Sequence, residues 1–340
     1  MVYAASNFFD IQGTFRWPIE PRPIHLLARG SVESPGKLVE PGALSCVKDV
    51  PFEMGADQSE GARRAALARW ITHERNPLTW RSIVNRVWHY HFGAGLVDSP
   101  NDFGHMGFQP SNPALLDWLA ADFRANGGSL KRLHRMIVTS ATYRQSSQSN
   151  AANAKIDADN RYLWRMNRQR LDAESVRDSA LAASGKLDLT MGGPSAEQFF
   201  FKDDHSPVYD YSRFDVDSPA SYRRSVYRMI IRSVPDPLME RLDCPDSSLM
   251  TAKRNTTITA IQALALMNNP LIVRQAEHMS ERIRSLSADA REQLSWAYRL
   301  ALSREPAAAE TDRLVKYAGE FGLESACRLI LNSNEFLFVD

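Results

Sequence analysis

The sequence predicts a mainly α-helical fold, a multi-helix bundle with a minor β-element and an irregular N-terminal arm. Segments with apolar side chains at helical spacing follow one another along most of the chain. Pro and Gly are concentrated instead in the first part of the chain, where they alternate with short apolar stretches. We therefore predict an N-terminal arm over residues 1–58, packed on the body, and a helical domain over residues 59–340.

Turn formers and helix caps indicate where the predicted elements lie along the chain. Two apolar stretches among the turn formers of residues 21–45 are typical of short strands. Ser59 can cap a first helix, which Pro77 must end. Later helices are predicted over about residues 77–92, 112–126, 129–143, 167–181, 258–270, 271–286, 288–306, 307–321 and 323–337. The last four have the length and amphipathic spacing of a packed bundle.

A β-containing insertion is predicted within the helical domain, at about residues 198–232. The aromatic stretch 197–204 and the stretch 223–235 have more strand than helix character. The Asp-, Ser- and Pro-rich residues between them are typical of an exposed connection, and the polar residues 145–160 predict a loop.

Composition restricts the class of protein. The 340 residues are 44% hydrophobic and 24% charged, as in globular proteins, and 41 Lys and Arg balance 40 Asp and Glu. Such a balance provides no overall field to attract nucleic acid or an anionic membrane. The sequence contains neither a membrane-spanning apolar run nor a signal peptide at its start. The three cysteines form no haem-attachment or zinc motif, so no cofactor is evident, although a divalent metal stays open.

Several segments together resemble one family. They are residues 76–104, 112–147, 160–188, 222–233, 257–277 and 330–340, which include NRVWHYHFG, NRQRLDAESVRDSAL and ILNSNEFL. In this order they are similar to a C-terminal domain of unknown function, family 1553, of large planctomycete proteins that often also carry a cytochrome-c-like segment. The resemblance implies upstream modules in a longer, exported parent protein, and it carries over no biochemical role.

His89 and His91 raise the question of a metal site. On a helix over residues 77–92 they lie about 200° apart, so we predict that they do not ligate one ion. The family-like pattern Asn-Arg-x-Trp-x-x-His-Phe-Gly points to His91. Gly93 then places His91 in the last turn, where the helix dipole favours an imidazolium. A structural histidine, a catalytic or substrate-contacting one and a metal ligand stay open as roles for His91.

A stripe of charge is predicted on the helix at residues 167–181. Arg170, Glu174, Arg177 and Asp178 follow one another at i, i+4, i+7 and i+8. The stripe is either a solvated helix face or one wall of a cleft. In a cleft, guanidinium groups would hold an anionic group while a carboxylate acts as general base.

The residues of the cleft hypothesis are assigned as follows. Catalytic roles are predicted for Glu174, Asp178, His91 and Asp102, and substrate binding for Arg86, Asn85, Arg144, Arg170 and Arg177. The loop that carries Asp243, Cys244 and Asp246 could approach Arg254, as a surface ion pair or as part of the same cleft.

The inventory of arginines, carboxylates and a histidine favours a hydrolase that acts on an anionic or activated phosphate, sulfate or carboxylate ester, with a small-molecule or glycan substrate. The alternative is a non-catalytic binding or structural module of a larger exported protein. A module predicts that Glu174 and Asp178 are exposed or paired. An enzyme predicts that they converge with His91 on one pocket.

Overall fold

The structure is a computed structural model that describes residues 23–55, 57 and 59–339. These residues form fourteen α-helices and three sheets of two strands each. This content confirms the predicted mainly α-helical fold with minor β-structure. The described residues divide into two compact units between Arg144 and Gln145. The boundary predicted at residue 58, between an arm and a helical domain, stays a prediction.

The first unit contains one small sheet and four helices. Its elements are the antiparallel strands β1 (His25–Leu27) and β2 (Pro35–Leu38), followed by α1 (Glu60–Ile71), α2 (Pro77–Phe92), α3 (Pro113–Ala125) and α4 (Leu130–Thr139). Each helix begins at a polar side chain that accepts a bond from the first turn, namely Ser59, Asn76, Asn112 and Ser129. The capping side chains at these four positions therefore determine where the helices begin.

Helix α2 is central in this unit and packs on α3 and α4. Val84, Trp88 and Phe92 recur along one of its faces and are buried. The helix ends at Gly93, whose left-handed backbone (φ 77°) disfavours other residues. Both His89 and His91 lie within α2, which is the condition on which their predicted separation rests.

The second unit carries the remaining ten helices of the described residues. Its elements are α5 (Ala151–Ile156), β3 (Gln169–Arg170), α6 (Ala173–Ser184), β4 (Phe200–Lys202), β5 (Val208–Asp210), α7 (Pro219–Tyr222), α8 (Pro237–Arg241), α9 (Ala260–Asn268), α10 (Pro270–Leu286), α11 (Ala290–Leu302), α12 (Ala308–Phe321), α13 (Leu323–Leu331), α14 (Asn334–Leu337) and β6 (Phe338–Val339). Helix α5 occupies part of the stretch predicted as a loop, because Asn150 caps it.

The core of the second unit is built around α10, which packs on α6, α11 and α13. Its apolar side chains Ile272, Met279 and Ile283 are fully buried there. On α6, Val176 and Ala180 face the same core. Burial of this apolar stripe holds α6 in place, and with it the charged side chains on the opposite side.

The charged helix begins later than predicted, because Asp172 caps it and Ala173 is its first residue. Arg170 lies instead in β3, paired with Phe338 of β6. The prediction that Arg170 shares a helical stripe with Glu174, Arg177 and Asp178 is therefore wrong.

The predicted strand character of residues 223–235 appears only as isolated β-bridges, at Arg223 and Arg228. Strand β4 pairs with β5, whereas Ser225–Tyr227 form a 3₁₀ turn. A continuous strand does not form here because side chains of α6 bond to backbone groups that a neighbouring strand would otherwise pair with. Asp178 accepts from the Ser225 N–H, and Arg177 donates to the Arg223 carbonyl.

Candidate functional site

In the first unit, Asn85 holds the loop that follows α2. Its side-chain amide donates to the Val97 carbonyl and accepts from the Val97 N–H, both at 2.8 Å. The side chain is fully buried, and a Cβ on Gly95 would lie 2.4 Å from the Val97 carbonyl oxygen. Both amide groups of Asn85 are engaged by this loop, which favours a structural role over the predicted substrate contact.

Arg86 contacts the same loop, and Asp102 lies within it. Arg86 donates to the side-chain carbonyl of Asn101, the neighbour of Asp102. One carboxylate oxygen of Asp102 accepts from the Gly104 N–H at 2.8 Å, which closes a tight turn. Arg144, predicted as a substrate contact, is exposed at the end of the unit. Asn85, Arg86 and Asp102 are therefore all engaged at the loop that follows α2, whereas Arg144 lies apart from it.

His91 contacts a histidine that the sequence analysis missed. Its Nε2 lies 2.8 Å from Nδ1 of His134 on α4, so the two rings share a hydrogen bond. The Tyr143 ring packs edge-on against His91 at 5.6 Å between centroids. Burial lowers the pKa of His91, and the His134 charge lowers it further. This lowered pKa acts against the imidazolium that the dipole at this helix end favours.

In the second unit, Glu174 is paired with Arg254. The guanidinium donates to both carboxylate oxygens, at 2.6 and 3.0 Å. The Cys244 Sγ lies 3.9 Å from one of these oxygens. Burial and the adjacent carboxylate raise the pKa of the Cys244 thiol. Arg254 therefore forms a partly exposed ion pair with Glu174, and its place in a cleft stays a prediction.

Arg177 and Asp178 fix the segment that follows α7. The Arg177 side chain is 2% exposed and donates to the carbonyls of Ser221 and Arg223. It also pairs with Asp178, whose carboxylate accepts from the N–H and hydroxyl of Ser225. Burial lowers the pKa of Arg177 to about 10, helped by the nearby Arg228 charge. These bonds favour a structural role for Arg177 over the predicted contact with an anionic substrate.

Arg170 is held by Asp243, the residue that precedes Cys244. The Arg170 side chain is 5% exposed and lies 3.1 Å from the Asp243 carboxylate. Asp243 also accepts from Thr257 and Gln262. Its backbone is left-handed (φ 66°), in the position after α8 where glycine is usual. The surrounding donors stabilise this strained residue, and it directs Cys244 back toward α6.

A cavity of about 260 Å³ opens beside Glu174. Its lining contains the Arg228–Asp236 pair, in which the guanidinium donates at 2.5 Å, and the Tyr211 ring, whose hydroxyl donates to the Val234 carbonyl. The rest of the wall comes from Glu174, Ser225, Met229, Ile230, Ile231, Arg232, Pro235, Met239, Glu240, Cys244, Pro245, Asp246 and Ser247. We call this space the α6–α8 cavity.

Of the nine residues predicted for the site, Glu174 alone is among the residues that line the α6–α8 cavity. His134 and the cavity residues Tyr211, Arg228 and Asp236 were missed. The three cavity residues follow Glu174 by at least 37 residues, and His134 follows His91 by 43, so no local spacing could have associated them. The Cys244 loop was the one available signal, because two carboxylates flank a cysteine there.

Groups that could hold a metal or cofactor are few. Across residues 23–55, 57 and 59–339, no cluster of three or more His, Cys, Asp or Glu side chains is arranged to bind a metal ion. The three cysteines are free thiols, and burial raises the pKa of Cys327 to about 12. In the same part of the chain, no helix combines the length and apolar character needed to cross a bilayer.

Comparison with known proteins gives a family and no activity. The search of curated proteins and the search of solved structures found no match to the chain. A family model described as PSD1, protein of unknown function (DUF1553), matches residues 63–318. This match covers most of the chain and agrees with the resemblance carried by its motifs. The chain belongs to the PSD1 (DUF1553) family.

Proposed function

We propose that this chain is a non-catalytic binding module that takes a small ligand into the α6–α8 cavity. The observation that carries the proposal is the pairing of the predicted catalytic carboxylates within the protein. Both Glu174 oxygens accept from Arg254, and the Asp178 carboxylate accepts from Arg177 and Ser225. A general base needs a lone pair that is directed at its substrate, and these lone pairs face donors of the protein itself.

The lining of the cavity indicates the class of ligand. The lining contains four carboxylates and two guanidiniums. The carboxylates are those of Glu174, Asp236, Glu240 and Asp246, and the guanidiniums are those of Arg228 and Arg232. Between them lie apolar side chains, among them Met229 and Ile230. Such a wall disfavours an anion and suits an uncharged or cationic ligand with an apolar part.

A fragment screen tests this proposal. Ligand-observed NMR would compare uncharged, cationic and anionic fragments on the wild type, on Cys244→Phe and on Cys244→Ala. The phenylalanine fills the cavity, whereas the alanine leaves it open, so binding should be lost in the first variant alone. Uncharged or cationic fragments should dominate the hits. An absence of hits, or hits that persist in Cys244→Phe, would exclude the cavity as the binding site.

A hydrolase is the second candidate, and one observation favours it. Glu174 is about a third exposed (31%) on the cavity wall and lies beside the Cys244 thiol, so a carboxylate and a thiol meet in one space. The substrates would be activated phosphate, sulfate or carboxylate esters. A panel of these esters, assayed with and without a chelator, is the appropriate screen. If an ester is turned over, Glu174→Gln should lower the rate by at least about two orders of magnitude, and the exposed control Glu197→Gln should not.

A further inference from the structure

A second cavity, of about 290 Å³, adjoins the α6–α8 cavity. Tyr211 and Asp236 line both spaces, so the side chains of these two residues form the wall between them. We call the second space the α8–α10 cavity, because Leu238 of α8 and Leu271 of α10 line it. The two spaces are neighbours, and one elongated ligand can reach both.

The lining of the α8–α10 cavity is mainly apolar, with Phe214 and Val216 beside the two leucines. Each polar side chain in this lining already bonds within the protein. These side chains are Gln198, Tyr211, Ser212, Ser221, Asp236 and Asn269. The cavity therefore presents hydrocarbon to a ligand, and burial of apolar surface is its main source of affinity.

The α6–α8 cavity differs from its neighbour in charge. Three of its four lining carboxylates accept bonds within the protein. The fourth, Glu240, is exposed on α8 and is the lining carboxylate without a bonded partner among the residues that the structure describes. An unpaired carboxylate on the wall of a cavity attracts a cation. Glu240 follows Asp236 by four residues, so about 6 Å of helix separates it from the wall between the cavities.

We propose that the two cavities bind one elongated cationic amphiphile, with its ammonium head beside Glu240 and its aliphatic chain in the α8–α10 cavity. This inference rests on the proposed function and names the class of its ligand. The chain passes the wall on the Tyr211 side, because one bond, to the Val234 carbonyl at 3.0 Å, holds the Tyr211 hydroxyl. Asp236 is fixed more firmly, since it accepts from Arg228 and from the first turn of α8.

Calorimetric titration of the full chain tests this inference. The probes are n-alkylammonium chlorides from butyl to decyl, each below the concentration at which it forms micelles. Affinity should rise about fourfold for each methylene that passes Tyr211, because that methylene leaves water for the α8–α10 cavity. Octyl sulfate should bind at least about tenfold more weakly than octylammonium, because Glu240 repels it.

Two variants separate the head from the chain. Val216→Trp fills the α8–α10 cavity, so octylammonium should bind no more tightly than butylammonium, whereas the control Val32→Trp, at an exposed valine of the first unit, should keep the gain. Glu240→Gln should weaken octylammonium about tenfold and leave the binding of octanol unchanged. Because Glu240 is exposed, this variant keeps the test decisive if Val216→Trp impairs folding.

Wild-type affinity that does not depend on chain length would overturn this inference, and so would a chain-length gain that persists in Val216→Trp. If no alkylammonium binds, this inference also fails, while fragment hits that are lost in Cys244→Phe would still support the proposed function. Butylammonium that binds equally well in Cys244→Phe would exclude the α6–α8 cavity, and both proposals would fail with it.

Discussion

Arg254 donates to both carboxylate oxygens of Glu174 across 80 residues of sequence, at 2.6 and 3.0 Å. The pair ties the loop after α8 to the first turn of α6, and Arg254 lies 3.6 Å from Asp172, the residue that caps this helix. Glu174, one member of the pair, lines the α6–α8 cavity. The same bond explains why a residue expected to act as a base is engaged within the protein.

Loss of this pair should have a small effect on stability. The side chains of Glu174 and Arg254 are 31% and 34% exposed, so solvent screens their attraction. We expect Glu174→Gln to lower the free energy of unfolding by no more than about 1 kcal/mol, and by less at high salt. Urea unfolding at two salt concentrations measures this, with Glu197→Gln as the exposed control. A loss that grows with salt would contradict a screened ion pair.

Replacement of Arg177 should lower the free energy of unfolding far more than replacement of Glu174. Removal of the Arg177 guanidinium takes a donor from the Ser221 and Arg223 carbonyls, and it takes from the Asp178 carboxylate its ionic partner. We expect Arg177→Met to cost about 3–5 kcal/mol of unfolding free energy, because one partner of a buried pair stays behind. Arg177→Lys should not restore it, since one ammonium cannot reproduce the guanidinium fork. Equilibrium unfolding compares these variants with Arg241→Met, an exposed arginine, and equal stability of all three would refute the structural role.

Asp243 offers a test of backbone strain against charge. Its backbone is left-handed (φ 66°), and its carboxylate faces the buried Arg170. Asparagine tolerates this backbone and keeps an acceptor, whereas alanine does neither. We expect Asp243→Ala to be less stable than Asp243→Asn by at least about 1 kcal/mol. Thermal and urea unfolding of both variants provide the comparison, and identical stabilities would mean that the backbone conformation carries no cost.

Asp217 should make stability sensitive to acid. Bonds from Arg274 and then His278 lower the pKa of its carboxyl from 3.8 to about 2. A lowered carboxyl pKa adds stability that is present above pH 4 and is lost as the pH falls through the folded value near 2. Between pH 4 and pH 2 the free energy of unfolding should therefore fall less steeply in Asp217→Asn than in the wild type. Parallel pH profiles would show that this pairing is absent in solution.

The sequence determined the fold class and the places where most helices start. Ser59, Asn76 and Ser129 cap their helices with their own side chains, and Gly93 ends α2. Such signals lie within a few residues of the backbone groups that they satisfy, so a single sequence contains them. The motifs also determined the family, because their order along the chain is itself the evidence.

The partners of the charged side chains were decided by the tertiary structure. Glu174 pairs with Arg254, Arg170 with Asp243 and His91 with His134, at separations of 80, 73 and 43 residues. No local spacing encodes such contacts, because they follow from how the helices pack after their apolar faces are buried. The same packing buried Arg177, whose guanidinium donates to backbone carbonyls of the 221–225 segment. Helical spacing can place a side chain on a face, but only the packed neighbour determines whether that face meets water, a cavity or another charge.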